Sequence, residues 1–150
     1  MPEWRSGRRT QPTTMKIKIL GSGAGGGLPQ WNKGTRAFYA PGLAQMRDEI
    51  HAEMCGADLV LVDGTFWTAT EMIELGISTK HADDMGHLAQ CGESGRRGMI
   101  DWLDTLPRVT RKVHTHINNT NPILDLNSAE HAQLRARGIA VAHDGMMFLL

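Results

Sequence analysis

The chain has 150 residues, a length that suits one domain with a core of its own. It carries 16 Lys and Arg against 16 Asp and Glu, so its formal net charge is zero. This balance gives no electrostatic reason to expect nucleic acid or an anionic membrane as a partner, and no apolar run is long enough for membrane insertion. The two cysteines form no CxxC pair, which favours a reducing cytoplasm and no disulfide framework.

The N-terminal part of the sequence begins with a polar stretch. Residues 1–14 contain three Arg and no apolar core, so we expect a disordered extension that is not a secretory signal, followed by a single domain over 15–150. Charged and apolar residues alternate over 16–20, which predicts a strand. A glycine-rich loop follows at 21–27, and apolar residues at helical spacing predict a helix over 43–56.

From residue 38 onward, short strands alternate with helices, the pattern of an α/β fold. The further expected elements are a buried strand over 59–62, a helix capped by Thr70 and running to Leu75, a loop over 79–92, a helix from Met99 that Pro107 stops, a strand over 109–117, a helix opened by Asn127 and Glu130 and ended by Gly138, and two last strands, over 139–141 and 146–150, around the turn Asp144-Gly145.

The glycine-rich loop matches the dinucleotide fingerprint G-x-G-x-x-G at Gly21, Gly23 and Gly26. That site needs a helix opening at the last glycine, and Pro29 blocks an immediate helix. The sequence therefore favours a sharp backbone turn over a nucleotide site.

Asp63 ends the expected buried strand, at the edge of a parallel sheet where ligands bind. A carboxylate there can bind a metal, or it can cap the loop that follows, and the sequence leaves both interpretations open.

His114 and His116 lie two apart on an expected strand, so both imidazoles could face one metal. They could also be ordinary strand histidines, which is the usual case. The Asn-rich loop after His116 favours a functional role for that residue. Since Asp63 and His116 both end strands, we expect them to meet across neighbouring strand tips.

Two further places offer weaker signals. The loop from His81 to His87 holds two His and two Asp, which could form a metal site or simply be solvated. Cys91 could be a nucleophile, but the sequence places no base beside it. The remaining residues of note are Trp67 and Trp102, which we expect in the core, and His51, His131 and His143, which we expect to be exposed.

Together these segments resemble the coenzyme PQQ synthesis protein B family, which has a metallo-β-lactamase-like fold. The resemblance covers nearly all of 15–150, and the run HINNTNP is its most specific part. The matching segments are MKIKILGSGAGGGLPQWN over 15–32, FYAPG over 38–42, LVDGTFW over 61–67, MGHL over 85–88, HINNTNPILD over 116–125 and VAHDGM over 141–146.

This chain lacks a segment that members of the family have. Family members are about twice as long, with a Cys-rich zinc motif and a long middle section after the Trp-Asn pair, where this chain has Lys33-Gly34. That section carries an Asp-His motif that supplies metal ligands. The chain therefore looks internally deleted, by a true deletion or by an error in the gene model or sequence. The implied fold is a partial αββα sandwich that lacks much of the N-terminal half.

The resemblance implies a role in the biosynthesis of pyrroloquinoline quinone (PQQ), through iron-dependent hydroxylation of a Glu-Tyr-derived precursor. It implies metal binding by Asp63 and His116. It also implies catalytic roles in the pocket for His87, as ligand or substrate contact, and for Asn118. The metal would be iron or zinc, bound weakly and with little turnover in so short a chain. Carriage of PQQ or its precursor towards the periplasm is the alternative, and a homodimer stays open. A hydrolase of the same fold would need two metals and a fuller set of His.

Overall fold

The structure is a computed structural model that describes residues 16–18, as backbone, and 34–150. The expected extension over 1–14 and the glycine-rich loop lie outside the described residues. The elements are β1 (Lys16–Lys18), β2 (Ala37–Ala40), α1 (Asp48–Cys55), β3 (Leu59–Asp63), α2 (Glu71–Glu74), α3 (Met99–Asp104), β4 (Arg111–Thr115), α4 (Ala129–Ala136), β5 (Ile139–Val141) and β6 (Met147–Leu149), with 3-10 turns at Asp83–Met85 and Pro122–Leu124. No helix within this described part is both long and apolar enough to cross a bilayer.

The main sheet has four parallel strands in the order β2-β3-β4-β5. Each strand is followed by a crossover before its neighbour begins, which is the connection that parallel pairing requires. This confirms the predicted α/β class. Because the strands run the same way, their carboxyl ends share one edge, and the loops that follow β2, β3 and β4 meet there.

The central strand β3 is buried along its whole length. Leu59 and Leu61 pack with Phe148 of β6, and Val60 and Val62 pack against the helical side. Alternate residues of a strand point to opposite faces, so the sheet is covered on both. The result is a β/β/α arrangement, consistent with the expected partial sandwich.

The helical side supplies the larger part of the core. Met54 of α1, Leu103 of α3 and Leu134 of α4 are each fully buried, and all three belong to one apolar cluster. Burying a side chain of this size stabilises the fold by about 2 kcal/mol. The helical layer therefore holds the sheet in place, together with the loops at the ends of its strands.

Two expected boundaries are wrong for identifiable reasons. The helix expected from residue 43 begins at Asp48, because Arg47 is extended and the backbone N–H of Leu43 donates to Asp63 instead of entering a helix. The helix expected to be capped by Asn127 is capped by Ser128, whose hydroxyl accepts from the backbone N–H of His131.

The last two strands do not pair with each other around their turn. β5 joins the main sheet beside β4, whereas β6 pairs antiparallel with β1 in a second, two-stranded sheet. A turn in which the N–H of Met146 donates to the carbonyl of His143 directs the chain from one sheet to the other. Gly145 lies in this turn with φ 83°, a conformation that favours glycine.

Candidate metal site

The candidate site lies at the carboxyl edge of the main sheet, where β3 and β4 end side by side. Asp63 is the last residue of β3 and pairs in register with Thr115, the last residue of β4. His116 follows directly. The expectation that Asp63 and His116 meet across neighbouring strand tips therefore agrees with the geometry.

Four donors surround the fully buried carboxyl group of Asp63. Its Oδ1 accepts from the backbone N–H of Thr65 at 3.0 Å and from the Thr65 hydroxyl at 2.6 Å. Its Oδ2 accepts from the backbone N–H of Leu43 at 3.0 Å and lies 2.9 Å from Nδ1 of His87. Asp63 thus caps the following loop, the second of the two interpretations left open by the sequence, and it also faces an imidazole.

The Thr65 hydroxyl connects the carboxyl group to both histidines. Thr65 Oγ1 lies 3.0 Å from Nδ1 of His87 and 2.8 Å from Nδ1 of His116. The two imidazole rings stack, with centroids 5.1 Å apart and planes 26° apart. Sequence reasoning missed Thr65, although its place two residues after a strand-terminal Asp is typical of a residue in an Asx turn.

The donor set fits a divalent metal. Asp63, His87 and His116 each offer a ligand atom, and these three atoms lie within 4.8 Å of one another. Two imidazoles and one carboxylate suit zinc, and they are also the ligand set of non-heme iron sites with open positions. The side chain of His87 is 16% exposed, so the cluster has an open side.

His116 adopts a left-handed backbone conformation, with φ 55°. It is the one non-glycine residue with positive φ in the described part of the chain. This conformation breaks the alternation of β4 and turns the ring towards Thr65. For this reason His114 and His116 do not face one metal, and of the two alternatives that the sequence left open, His114 is the ordinary strand histidine.

His114 lies behind the site, fully buried against the helical side of the sheet. Its Nδ1 is 3.0 Å from the carbonyl oxygen of Asp63, and its Nε2 finds no hydrogen-bond partner among the described residues. Burial lowers the pKa of His114 to about 4, despite the opposing effects of the hydrogen bond and of the Asp63 charge. Gly64 fits only because it lacks a side chain, since a Cβ there would lie 2.7 Å from Cβ of His114.

Asn118 is turned away from the three-residue cluster. Within the described part of the chain, its side-chain amide donates to the hydroxyl of Thr120 at 2.6 Å and to the sulfur of Met72 at 3.4 Å. Thr120 in turn donates to Glu71 of α2. The backbone N–H of Asn118 donates to the carbonyl of Thr65, so Asn118 borders the site through its main chain.

Asn121, which sequence reasoning did not single out from its loop, joins the two loops that form the site. It is almost fully buried, and its side-chain amide donates to the carbonyls of Gly64 and Thr65 at 3.0 and 3.2 Å. Its Oδ1 accepts from the backbone N–H of Ile123. Gln90 adds a second donor to the carbonyl of Gly64, at 2.7 Å. The Asn-Pro pair at 121–122 was the available signal, because Asn before a turn bonds readily to nearby backbone.

The loop from His81 to His87 contributes one residue to the cluster. His81 is exposed, and its backbone N–H donates to Asp84. Asp83 pairs with Arg96 at 3.0 Å, and this hydrogen bond lowers the pKa of the Asp83 carboxyl. Of the His and Asp side chains of this loop, only His87 therefore reaches Asp63, and those of His81, Asp83 and Asp84 are exposed.

Cys91 is not one of the three clustered residues, although it lines a small pocket together with His87. Burial raises the pKa of its thiol, and the nearby Asp101 charge raises it further, so the thiolate is disfavoured. Cys91 borders an open depression of about 460 Å³, and Arg96 and Arg97 border both this depression and a second one of about 470 Å³. Of the described residues that line these depressions, none belongs to the three-residue cluster.

The other expected residues are placed as follows. Trp67 and Trp102 pack against the main core, as predicted. His143 is exposed as predicted, whereas His51 and His131 are half-buried, because each ring finds a partner on a neighbouring segment. His51 lies 2.7 Å from the hydroxyl of Thr105, and His131 lies 2.7 Å from the carbonyl of Ile123.

Comparison with known proteins gives consistent results. A family model described as "Beta-lactamase superfamily domain" matches residues 26–117. The chain is 51% identical over 145 residues to "Coenzyme PQQ synthesis protein B" of Azoarcus sp. (strain BH72), an alignment that covers 97% of this chain and 45% of that protein. The protein of the same name from Cupriavidus taiwanensis is 54% identical over 119 residues, covering 79% of this chain and 38% of the relative.

A solved structure is also similar. The crystal structure of zinc-bound PqqB from Methylobacterium extorquens matches with a TM-score of 0.72 and 42% sequence identity, over 78% of this chain and 40% of that one. The chain spans less than half the length of the relatives that it matches.

Proposed function

We propose, on the premise that this chain belongs to the beta-lactamase superfamily and within it to the coenzyme PQQ synthesis protein B family, that it takes part in PQQ biosynthesis. The observation that carries the proposal is the cluster of Asp63, His87 and His116 at the carboxyl edge of the parallel sheet. Ligands of open α/β sheets bind at this edge. The residues to which the family resemblance assigns metal binding lie at the same edge.

In this proposal Asp63 and His116 bind the metal, and His87 is either a third ligand or a contact to the substrate. Asn118 shapes the neighbouring pocket through the loop that follows β4. A bound iron or zinc ion would supply Lewis-acid or oxygen-activating chemistry at an open position. The chain's own contribution is to hold the carboxyl group and the two rings together through Thr65, with the buried Asn121 fixing both loops.

The finer part of the proposal concerns metal and substrate. We take the metal to be iron, because two His and one carboxylate form the ligand set of iron oxygenases. The substrate would be a Glu-Tyr-derived precursor whose tyrosine ring is hydroxylated. Zinc remains the competing metal, since the similar solved structure is described as zinc-bound.

Metal binding by the chain itself is the first test. The metal-free protein is titrated with Zn²⁺ and, without oxygen, with Fe²⁺, beside Asp63→Asn and a matched control, Asp83→Asn, whose carboxylate is exposed and paired with Arg96. We expect weak binding at one site that Asp63→Asn abolishes and Asp83→Asn leaves unchanged. Equal binding by all three proteins would place the metal elsewhere and remove the proposed site.

Participation in PQQ biosynthesis is tested in a bacterium that lacks its own coenzyme PQQ synthesis protein B. A chimera is made by exchanging the matching segment of that protein for residues 34–150 of this chain. We expect the chimera to restore PQQ production and the same chimera with Asp63→Asn to fail. Restoration by both would show that the Asp63 cluster is not needed for the pathway.

Turnover by the chain on its own is the third test. We expect little iron after purification and no gain of oxygen by a Glu-Tyr substrate in mass spectrometry. Stoichiometric, tightly bound iron together with hydroxylation would refute the proposed impairment. Carriage of PQQ or its precursor gains no support from the relatives, whose names refer to synthesis. A homodimer and a cytoplasmic location stay predictions from the sequence.

A further inference from the structure

The hydroxyl group of Thr65 lies among the three side chains of the proposed metal site. Thr65 is 5% exposed, and its Oγ1 lies 2.6 Å from Oδ1 of Asp63. The same oxygen lies 3.0 Å from Nδ1 of His87 and 2.8 Å from Nδ1 of His116. Each of the three residues therefore has an atom that could bind a metal within hydrogen-bond distance of this one hydroxyl group.

The lone pairs of the Asp63 carboxyl group all accept hydrogen bonds. A carboxylate offers about four lone-pair positions. Two of them accept from the backbone N–H groups of Leu43 and Thr65, and the other two face side chains, the Thr65 hydroxyl and the His87 ring. An ion that binds Asp63 must therefore replace one of these four donors.

The Thr65 hydroxyl is the donor that can leave with the least disturbance. The backbone N–H donors are fixed by the course of the chain, and the carbonyl of Thr65 is held by the N–H of Asn118 and the side chain of Asn121. A side chain leaves by rotating about its own bonds. Of the two side-chain donors, His87 is itself a member of the cluster, whereas the hydroxyl contacts a candidate ligand atom on all three members.

We propose that the Thr65 hydroxyl competes with a divalent metal ion for the three clustered side chains and so limits the metal affinity of the site. A zinc ion requires its oxygen and nitrogen ligands at about 2.0 to 2.2 Å, and the hydroxyl oxygen takes up the space between these ligands. The hydroxyl holds the side chains together until an ion replaces it. The inference rests on the proposed metal site and adds a local reason for its weak binding.

The first measurement is Zn²⁺ affinity by competition with a chelator. Thr65→Ala removes the hydroxyl and keeps the backbone bonds of the loop. A hydrogen bond to a charged group is worth roughly a factor of ten in an equilibrium constant, so we expect Thr65→Ala to bind Zn²⁺ about tenfold more tightly than the wild type. Thr65→Ser keeps the hydroxyl and should stay close to the wild type. Both variants lack the methyl group of Thr65, so their difference reports the hydroxyl and not packing.

Two further variants locate the effect. Thr110→Ala is the matched control, since Thr110 is also 5% exposed and its hydroxyl donates to the carbonyl of Ala57. These two residues precede β4 and β3, at the opposite end of the strands from Asp63, and zinc affinity should not change. Asp63→Asn added to Thr65→Ala should abolish the gain, because the additional affinity depends on the Asp63 carboxylate.

The second measurement uses the wild type alone. The Thr65 hydroxyl is buried and hydrogen-bonded, so its proton should exchange slowly with water and give a resonance in ¹H NMR, with cross-peaks to the rings of His87 and His116. We expect these cross-peaks to disappear when the protein is saturated with Zn²⁺. This result needs no variant and stands even if Thr65→Ala does not fold.

Two outcomes overturn the proposal. One is zinc binding by Thr65→Ala that is equal to or weaker than that of the wild type, and a weaker affinity would mean that the hydroxyl supports or binds the ion. The other is a hydroxyl proton that keeps its cross-peaks to both rings in the zinc-saturated wild type. Failure of both the wild type and Thr65→Ala to bind zinc is a distinct result, because it removes the proposed metal site and this inference together.

Discussion

The imidazole of His87 stacks on the imidazole of His116, although the two rings come from different loops. His87 also contacts Asp63 directly, whereas His116 reaches it through the Thr65 hydroxyl. The two histidines are therefore held differently, and their separate removal should distinguish a ligand from a substrate contact.

His116→Ala is expected to weaken Zn²⁺ binding because a ligand is lost. Loss of a residue that only supports a ligand typically weakens binding by about 10- to 100-fold, and we expect a larger effect here. Alanine at His87 should do the same if His87 is a third ligand. If His87 contacts the substrate instead, zinc affinity should change little. The measurement is zinc competition with a chelator on each purified variant.

His81→Ala is the matched control for this pair. His81 belongs to the same loop as His87 but is exposed, and its side chain takes no part in the cluster. Its removal should leave zinc affinity unchanged. A weakening by His81→Ala as large as that by His116→Ala would mean that the metal binds on the solvated loop.

Asn121→Ala is expected to lower the free energy of unfolding by about 2 to 3 kcal/mol. The change removes two donated bonds, to Gly64 and Thr65, and leaves the backbone N–H of Ile123 without its acceptor in a buried position. Urea denaturation followed by circular dichroism measures it. Asn127→Ala, at an exposed position, should change stability by less than about 0.5 kcal/mol. Equal effects of the two changes would contradict the assigned role of Asn121.

His114 should make stability depend on pH. Burial lowers its pKa from 6.5 to about 4, so between these values the unfolded chain binds a proton that the folded chain does not. Stability is therefore complete above pH 6.5, falls as the pH drops towards 4 and levels off below it. The full loss corresponds to about 3 kcal/mol.

His114→Leu removes this ionisable group with little change in volume. The difference in unfolding free energy between wild type and variant, measured by urea denaturation from pH 7 to pH 4, should shift in favour of the variant as the pH falls. The other histidines titrate in both proteins and cancel in this difference. A difference that is constant across this range would show that folding does not lower the pKa of His114.

The meeting of Asp63 and His116 was predictable from sequence because it depends on one general property. The carboxyl ends of parallel strands share an edge, so polar residues that end neighbouring strands are brought together. A buried apolar run before Asp63 and an Asn-rich loop after His116 marked both strand ends. The α/β class followed from the same alternation of short strands and helices.

The role of Thr65 was not predictable, because its contacts join three segments whose approach is set by tertiary packing. The residues alone could not choose His87 over His81, since both lie in one polar loop, and the family resemblance was what singled out His87, which the fold brings to Asp63. The sequence left open whether His114 shares a face with His116, because alternation along a strand holds only for extended backbone. The left-handed residue at 116 ends that alternation, and nothing in its immediate sequence required it.

Because His116 has a positive φ, selection for stability and selection for metal binding favour different residues at this position. Asn and Gly tolerate this conformation better than His, so either would relieve backbone strain at this position while removing the imidazole. A library screened only for survival on heating should accordingly enrich these substitutions. A library screened for metal binding should lose these substitutions. At position 116, higher thermal stability is therefore expected to come with weaker metal binding.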